Sequence, residues 1–132
     1  MIDREDRAVI EELYARYNHC IDSDRFDEWV SLFTPDGVFA STTTHAGSAE
    51  LRTFVRARAA AQNTGPFRDA QHWTSNLPLE RLGDRVRGTC YLVRFAIDRS
   101  TGEKKIVTLG RYEDELVRFD GSWLFAQRRV LI

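Results

Sequence analysis

Residues 105–132 read KIVTLGRYEDELVRFDGSWLFAQRRVLI, two segments of alternating apolar and polar residues joined by Asp120–Gly121. A period of two is typical of β-strands that bury one face. An Asp-Gly pair between two such segments predicts a tight hairpin turn. The end of the chain is therefore expected to form two antiparallel strands that lie side by side.

The same period extends back to residue 70. Two more alternating segments cover 70–82 and 85–98, with Gly83–Asp84 as a second hairpin turn between them. The turn-forming stretch 99–104 separates them from the final hairpin, so the second half of the chain predicts a four-stranded meander. The sheet should be curved, because proline and glycine inside strand patterns mark bends and bulges. The residues in question are Pro78, Gly88 and Gly110.

The first half of the chain has helical periodicity instead. Asp3 with Asp6 three residues later resembles an N-cap, and apolar residues then recur at helical spacing through residue 21. A second helix is expected over 25–33, capped by Asp24, before a turn at 34–37. A strand at Val38–Thr42 and a third helix, opened by Ser48 and running to residue 63, complete this half.

These patterns predict an α+β fold with one domain over residues 1–132. Three N-terminal helices should lie inside a cone-shaped curved sheet, mixed or antiparallel, that leaves a central pocket. A chain of 132 residues with 42% hydrophobic residues can bury a core of that size.

Charge argues against one class of partner, and hydropathy against another. Nineteen basic and twenty acidic residues give a net charge of -1, and the arginines are scattered, which argues against nucleic-acid binding. No apolar run is long enough to cross a membrane, and the N-terminus lacks the layout of a signal peptide. We therefore predict a cytoplasmic protein with a small-molecule substrate.

Cysteine and histidine spacing predicts neither a metal nor a cofactor. Cys20 and Cys90 form no C-x-x-C motif and are expected to be reduced and buried. The three histidines lack the spacing of metal ligands, and the sequence contains no glycine-rich phosphate loop.

Three stretches resemble a known family. They are LYARYNHCIDSDRFDEWVSLFTPDGVF at 13–39, QHWTSN at 71–76 and GRYEDELVRFDGSWLFAQRRV at 110–130. Together they resemble the SnoaL-like group of the nuclear transport factor 2-like superfamily, over nearly the whole chain. The resemblance implies α+β cones with an apolar pocket at the open end.

The local similarity is to scytalone dehydratases and hexachlorocyclohexane dehydrochlorinases. These enzymes are similar in carrying an aspartate at the end of the first helix and a histidine in the strand after the third, which here are Asp22 and His72. The resemblance implies that His72 abstracts a proton and that Asp22 orients its ring. It also matches Arg128 to an active-site arginine that would stabilise a leaving anion.

The spacing of polar and aromatic residues along the predicted helices and strands adds further candidates for substrate binding. They are Tyr14, Tyr17 and Asn18 on the first helix, Asn76 beside His72, and Tyr112 and Asp114 on the strand at 105–119. Two alternatives stay open. Arg128 could form a structural ion pair with Glu113 or Asp114, and Asn76 could hold a backbone irregularity. Asp22 could cap the second helix, although Asp24 is better placed for that role.

Three functions follow from these residues. The first is a cofactor-independent lyase of dehydratase or dehydrohalogenase type, which acts on a small, largely apolar molecule through a His72–Asp22 dyad. The second is a cyclase or isomerase of a polyketide- or steroid-like ligand, and the third is a non-catalytic ligand-binding module. A homo-oligomer, dimer or trimer, is also expected, because an apolar outer sheet face would otherwise contact water. That face comprises Trp73, Leu77, Tyr91, Val93 and Phe95.

Overall fold

The structure is a computed structural model that describes all residues, 1–132. Its helices are α1 (Arg4–Asp22), α2 (Phe26–Ser31) and α3 (Ser48–Asn63). Its strands are β1 (Phe33–Ala40), β2 (Thr44–Ala46), β3 (Phe67–Ser75), β4 (Leu79–Leu82), β5 (Arg85–Asp98), β6 (Lys104–Phe119) and β7 (Ser122–Leu131). None of the three helices combines the length and the apolar character that crossing a bilayer requires.

The strands form one seven-stranded mixed sheet. Its order is β2-β1-β7-β6-β5-β3, and β4 also pairs with β5. Strands β1 and β7 run parallel, and every other pair is antiparallel. The predicted α+β fold is confirmed, and so are both hairpin turns, since Leu82 pairs with Arg85 and Phe119 with Ser122.

The first helix begins as predicted, and the second does not. Asp3 accepts a hydrogen bond from the backbone N–H of Asp6 at 2.8 Å. Asp24 was expected to cap α2, but its φ of +57° places it in the left-handed connection between the helices. Arg25 precedes α2 instead and makes no side-chain cap. Asp24 therefore does not cap α2, and the prediction that it is better placed than Asp22 for that role is wrong.

The strand boundaries correct the prediction in two places. The stretch 34–37, predicted as a turn, is a register irregularity inside β1, which begins at Phe33 and ends at Ala40. The segment 70–82, predicted as one strand, is divided into β3 and β4, because Pro78 has no N–H to donate and Asn76 adopts a φ of +58°. His45 lies in the short strand β2, and its ring stacks on that of Phe54.

A β-bulge at Ala126 changes which residues of β7 face the helices. Leu116 pairs with Phe125 and Glu115 pairs with Gln127, so Ala126 is left without a partner. Trp123, Phe125 and Arg128 are all buried as a result. Strict alternation would place Arg128 on the same face as Leu124 and Ala126, but the bulge shifts the period by one residue and turns Arg128 inward.

Side chains fill the centre of the cone. Tyr17 contacts the rings of Trp29, Phe33, Tyr112 and Phe125, with centroids 5.7 to 6.3 Å apart. Such tilted and edge-on aromatic packing leaves little room between α1 and the middle of the sheet. The predicted central pocket is consequently displaced toward the end of the cone where α1 ends.

Candidate functional site

A cavity lies where the end of α1 meets α3, β3 and β5. It has a volume of about 500 Å³, and only six of its 18 lining residues are hydrophobic. The expected apolar pocket is thus largely polar. Its walls include Asp22, Arg58, Gln62, His72 and Arg94. The structure contains no group of three or more His, Cys, Asp or Glu side chains arranged to hold a metal ion.

Asp22 and His72 form a hydrogen-bonded pair at this cavity. Nδ1 of His72 lies 2.6 Å from Oδ1 of Asp22, and the backbone N–H of His72 donates to Oδ2 at 2.9 Å. Because a carboxylate only accepts hydrogen bonds, Nδ1 carries the proton and Nε2 keeps its lone pair. The carboxylate of Asp22, the last residue of α1, therefore fixes both the position of β3 and the orientation of the His72 ring.

The surroundings of His72 favour its neutral form. Its side chain is only 7% exposed. Burial lowers the pKa of His72 below its usual 6.5, the nearby Asp22 opposes that shift, and the positive charges of Arg58 and Arg94 add to it. A neutral imidazole with a free Nε2 is the form that can accept a proton at neutral pH.

A second polar cluster lies in the core. Arg128 is completely buried and binds Asp114 through two hydrogen bonds, Nε to Oδ1 at 2.9 Å and Nη2 to Oδ2 at 3.0 Å. Tyr14 donates its hydroxyl hydrogen bond to the same carboxylate. The guanidinium also lies over four rings, of which Tyr112 is nearest, at 3.5 Å from its centroid. Burial raises the pKa of Asp114, and the charge of Arg128 opposes that rise.

This cluster corrects five of the predicted site residues. Tyr14, Tyr17, Tyr112, Asp114 and Arg128 do not line the cavity that holds His72. They form the buried centre of the cone, where no leaving anion can reach the guanidinium of Arg128. The structural ion pair with Asp114, left open by the sequence, is the arrangement observed.

Gly88 on β5 is needed for this arrangement. A Cβ at that position would lie 2.5 Å from the hydroxyl of Tyr14. Glycine therefore leaves the space through which the hydroxyl of Tyr14 reaches Asp114, whose backbone pairs with that of Gly88.

Neither predicted asparagine lines this cavity, and only Asn18 lies in a groove that reaches the dyad. Asn18 donates to Oγ1 of Thr74 at 3.0 Å, in a groove between α1 and β3 that also reaches Asp22 and His72. Its buried Oδ1 has no hydrogen-bond partner. Asn76 is exposed, and its backbone adopts the left-handed conformation. It therefore forms the backbone irregularity that follows β3.

Sequence reasoning missed three polar residues of the cavity, namely Arg58, Gln62 and Arg94. The sequence predicted the helix at 48–63 but no site residue on it. A signal was present, however. Arg58 lies three residues after the buried Val55, and Arg94 falls in the inward phase of β5 between the buried Leu92 and Ala96.

Comparison with known proteins supports the assignment of the fold. Residues 3–129 match the family model described as a SnoaL-like domain. A protein of unknown function from Mycobacterium tuberculosis is 30% identical, with a TM-score of 0.82, over 95% of this chain and 70% of the other. The search of curated proteins found no match.

Two further solved structures share the fold at lower identity. ActVI-ORFA from Streptomyces coelicolor has a TM-score of 0.87 and 19% identity, over 97% of this chain and 95% of the other. A Novosphingobium aromaticivorans protein named as a candidate scytalone dehydratase has a TM-score of 0.79 and 19% identity, over 95% of this chain and 82% of the other. At such identities the likeness concerns the fold alone.

Proposed function

The chain belongs to the SnoaL-like domain family, and from that membership and its cavity we propose that it is a cofactor-independent lyase. It would eliminate water or a halide from a small substrate, with His72 as the base and Asp22 as its positioning residue. The observation that carries the proposal is the hydrogen bond of 2.6 Å between Nδ1 of His72 and Asp22, which leaves the lone pair of Nε2 with only a long contact, 3.4 Å from Nη2 of Arg58.

The proposed step needs only these groups. Nε2 of His72 takes a proton from carbon, the electron pair of that C–H bond forms a double bond, and the leaving group departs with its own bonding pair. Asp22 stabilises the imidazolium that forms when the proton is taken. The proton then returns to water, which restores the neutral ring.

Polar walls change the expected substrate. The sequence favoured a largely apolar molecule, but ten of the 18 residues that line the cavity have polar or charged side chains. A substrate of this site should therefore carry polar groups that match the guanidinium and amide groups of Arg58, Arg94 and Gln62. The comparison with a candidate scytalone dehydratase agrees with a dehydratase reaction only at the level of the fold.

The same base supports a second reaction. If the carbon acid lies next to a carbonyl group, loss of its proton produces an enolate, and an enolate can also lead to isomerisation or cyclisation. The guanidinium of Arg58, whose Nη2 lies 3.4 Å from Nε2 of His72, is placed to stabilise such an oxyanion. A cyclase or isomerase is therefore the alternative, and a binding module without turnover is the third.

Product mass distinguishes these functions. The protein is incubated with a panel of small β-hydroxy and β-halo carbonyl compounds, and the products are analysed by mass spectrometry. Elimination is expected to yield a product lighter by one water or one hydrogen halide, because the leaving group is expelled. The Asp22→Asn variant is expected to produce less of it, since a neutral amide does not stabilise the imidazolium and has one acceptor oxygen in place of two. A product of unchanged mass would instead support isomerisation, and binding without turnover would support the third function.

We also propose that the outer face of the sheet joins copies of this chain into a homo-oligomer. Trp73 and Tyr91 are each 59% exposed, and Leu109 on the adjacent strand is 72% exposed. Contiguous apolar surface of this kind usually marks an interface. Leu77, predicted to belong to this face, packs against the core instead.

Cytoplasmic location stays a prediction that cell fractionation would check.

Light scattering coupled to size-exclusion chromatography measures the oligomeric state directly. The wild type is expected to elute as a dimer or trimer, and the Tyr91→Lys/Leu109→Lys variant as a monomer, because burying two lysines at an interface costs their hydration. Arg87→Ala, on the same strand as Tyr91, serves as a control that should not change the mass. A monomeric wild type at micromolar concentration would rule out the proposed assembly.

A further inference from the structure

Two partly buried guanidinium groups of the cavity have no acidic partner. Arg58 extends from α3 and Arg94 from β5, and neither forms a salt bridge, although 12 arginine–carboxylate or lysine–carboxylate pairs occur in the chain. Only a neutral group connects them. In the orientation that satisfies its neighbours, the Gln62 amide oxygen accepts from Nη1 of Arg94 at 2.9 Å and from Nη2 of Arg58 at 3.0 Å.

This pairing of like charges is costly for the protein alone. Arg94 is half-buried, its Nε is buried without any hydrogen-bond partner, and burial together with the charge of Arg58 lowers its pKa. The nearest carboxylate, Asp22, already accepts two hydrogen bonds from His72. Unpaired, partly desolvated guanidinium groups lose hydration that no protein group replaces.

The other arginines of the cavity are satisfied. Arg68 pairs with Asp69 at 2.6 Å. Arg99 donates to three backbone carbonyl oxygens, those of Gln62, Gly65 and Phe67. Arg99 is exposed to solvent, so the partly buried guanidinium groups without a carboxylate partner are Arg58 and Arg94. Nη2 of Arg58 lies 3.4 Å from Nε2 of His72.

We propose that Arg58 and Arg94 bind a carboxylate group of the substrate, so that the substrate of this enzyme is a carboxylic acid. That the bound molecule is a substrate rests on the proposed lyase function. That Arg58 and Arg94 bind a carboxylate does not depend on it. A guanidinium offers two parallel N–H donors that match the two oxygens of a carboxylate, which a lysine would not provide.

Charge balance favours a monoanion. Arg58 and Arg94 carry two positive charges and Asp22 one negative charge, and His72 is neutral, so the polar wall has a net charge of about +1 by ordinary pKa values. A carboxylate neutralises this charge. A phosphate dianion would reverse it beside Asp22, where the extra charge would be repelled.

Binding of a carboxylate would also affect the base. Nη2 of Arg58 lies 3.4 Å from Nε2 of His72, close enough to compete weakly for its lone pair. A carboxylate that takes up the donors of Arg58 would leave Nε2 free for the carbon acid of the same molecule. The acid group would thereby orient the substrate and release the base.

Calorimetric titration with matched probes tests the carboxylate site without turnover. Benzoate, benzamide and phenylphosphonate are titrated into the protein at pH 7 and low salt. Benzoate is expected to bind at least about tenfold more tightly than benzamide, since hydrogen bonds between charged groups are stronger than those to a neutral amide. Phenylphosphonate is expected to bind no more tightly than benzoate.

Single substitutions locate the charge preference. Arg58→Gln and Arg94→Gln should each reduce the ratio of benzoate to benzamide affinity severalfold, and Arg94→Lys should restore part of it. Arg56→Gln removes the same charge from an exposed position of α3 and should leave the ratio unchanged. Thermal unfolding checks that each variant folds.

The outcomes separate this inference from the proposed function. Equal affinity for benzoate and benzamide, or a preference that Arg56→Gln removes as strongly as Arg58→Gln, would overturn the carboxylate site even if elimination is observed. A benzoate preference that disappears in Arg58→Gln and Arg94→Gln would support it. That result would stand even if no elimination activity is found.

Discussion

Replacing His72 with alanine is expected to lower kcat/KM for elimination by about 10²–10⁴-fold, the usual contribution of a positioned general base. The imidazole is the only neutral base that the structure places on this wall of the cavity, with its Nδ1 proton held by Asp22. Initial rates on the substrate identified by product mass provide the measurement. His45→Ala, on the distant strand β2, is the matched control and should retain activity.

The pH profile should report the same base. His72 must be neutral to accept a proton, and its pKa lies below 6.5. The kcat/KM of the wild type should therefore fall as the pH is lowered through that pKa and should be level above it. Whatever activity remains in His72→Ala should lack this acidic limb. Full activity of the variant, or an unchanged limb, would contradict the assignment.

The largest expected effect on stability belongs to Arg128. Replacing it with methionine is expected to lower the free energy of unfolding by about 3–5 kcal/mol, because the carboxylate of Asp114 would remain buried without its charged partner. The loss of contact between the guanidinium and the ring of Tyr112 would add to the effect. Urea-induced unfolding at a fixed protein concentration measures it.

An adjacent residue supplies the control for this substitution. Arg129 pairs with Glu113 at 2.5 Å on the outer face, where both side chains are at least one third exposed. Arg129→Met should cost about 0–1 kcal/mol, as exposed ion pairs do. The double variant Arg128→Met/Asp114→Leu should be more stable than Arg128→Met alone, since no unpaired charge remains. A loss below about 1 kcal/mol in Arg128→Met would contradict the structural role.

Local patterns predicted most elements of the fold. The cap at Asp3, the helix that Ser48 opens and the two hairpin turns all depend on residues close together in sequence, and the structure confirms them. The errors arose where one residue changes the period. Ala126 inserts a bulge in β7, and Asn76 and Pro78 divide one predicted strand in two.

The site was predicted less completely than the fold. The resemblance to dehydratases brought Asp22 and His72 together, although 50 residues separate them in sequence, and the structure places them within hydrogen-bonding distance. It also assigned Arg128 to the site, and that position turned out to be buried. No motif distinguished Arg58 or Arg94, because arginine on a helix or strand is usually exposed.

The sequence by itself determined the order of the three helices and of every strand except β2 and β4, the inward phase of β3 and the pair of residues proposed for proton transfer. These features follow from periodicity, turn residues and a shared motif. Only the tertiary structure decided which inward arginine is structural and which is free to bind a ligand. The physical reason is distance: Arg128 meets the carboxylate of Asp114 in the core, whereas Arg94 meets only Gln62 and the like charge of Arg58.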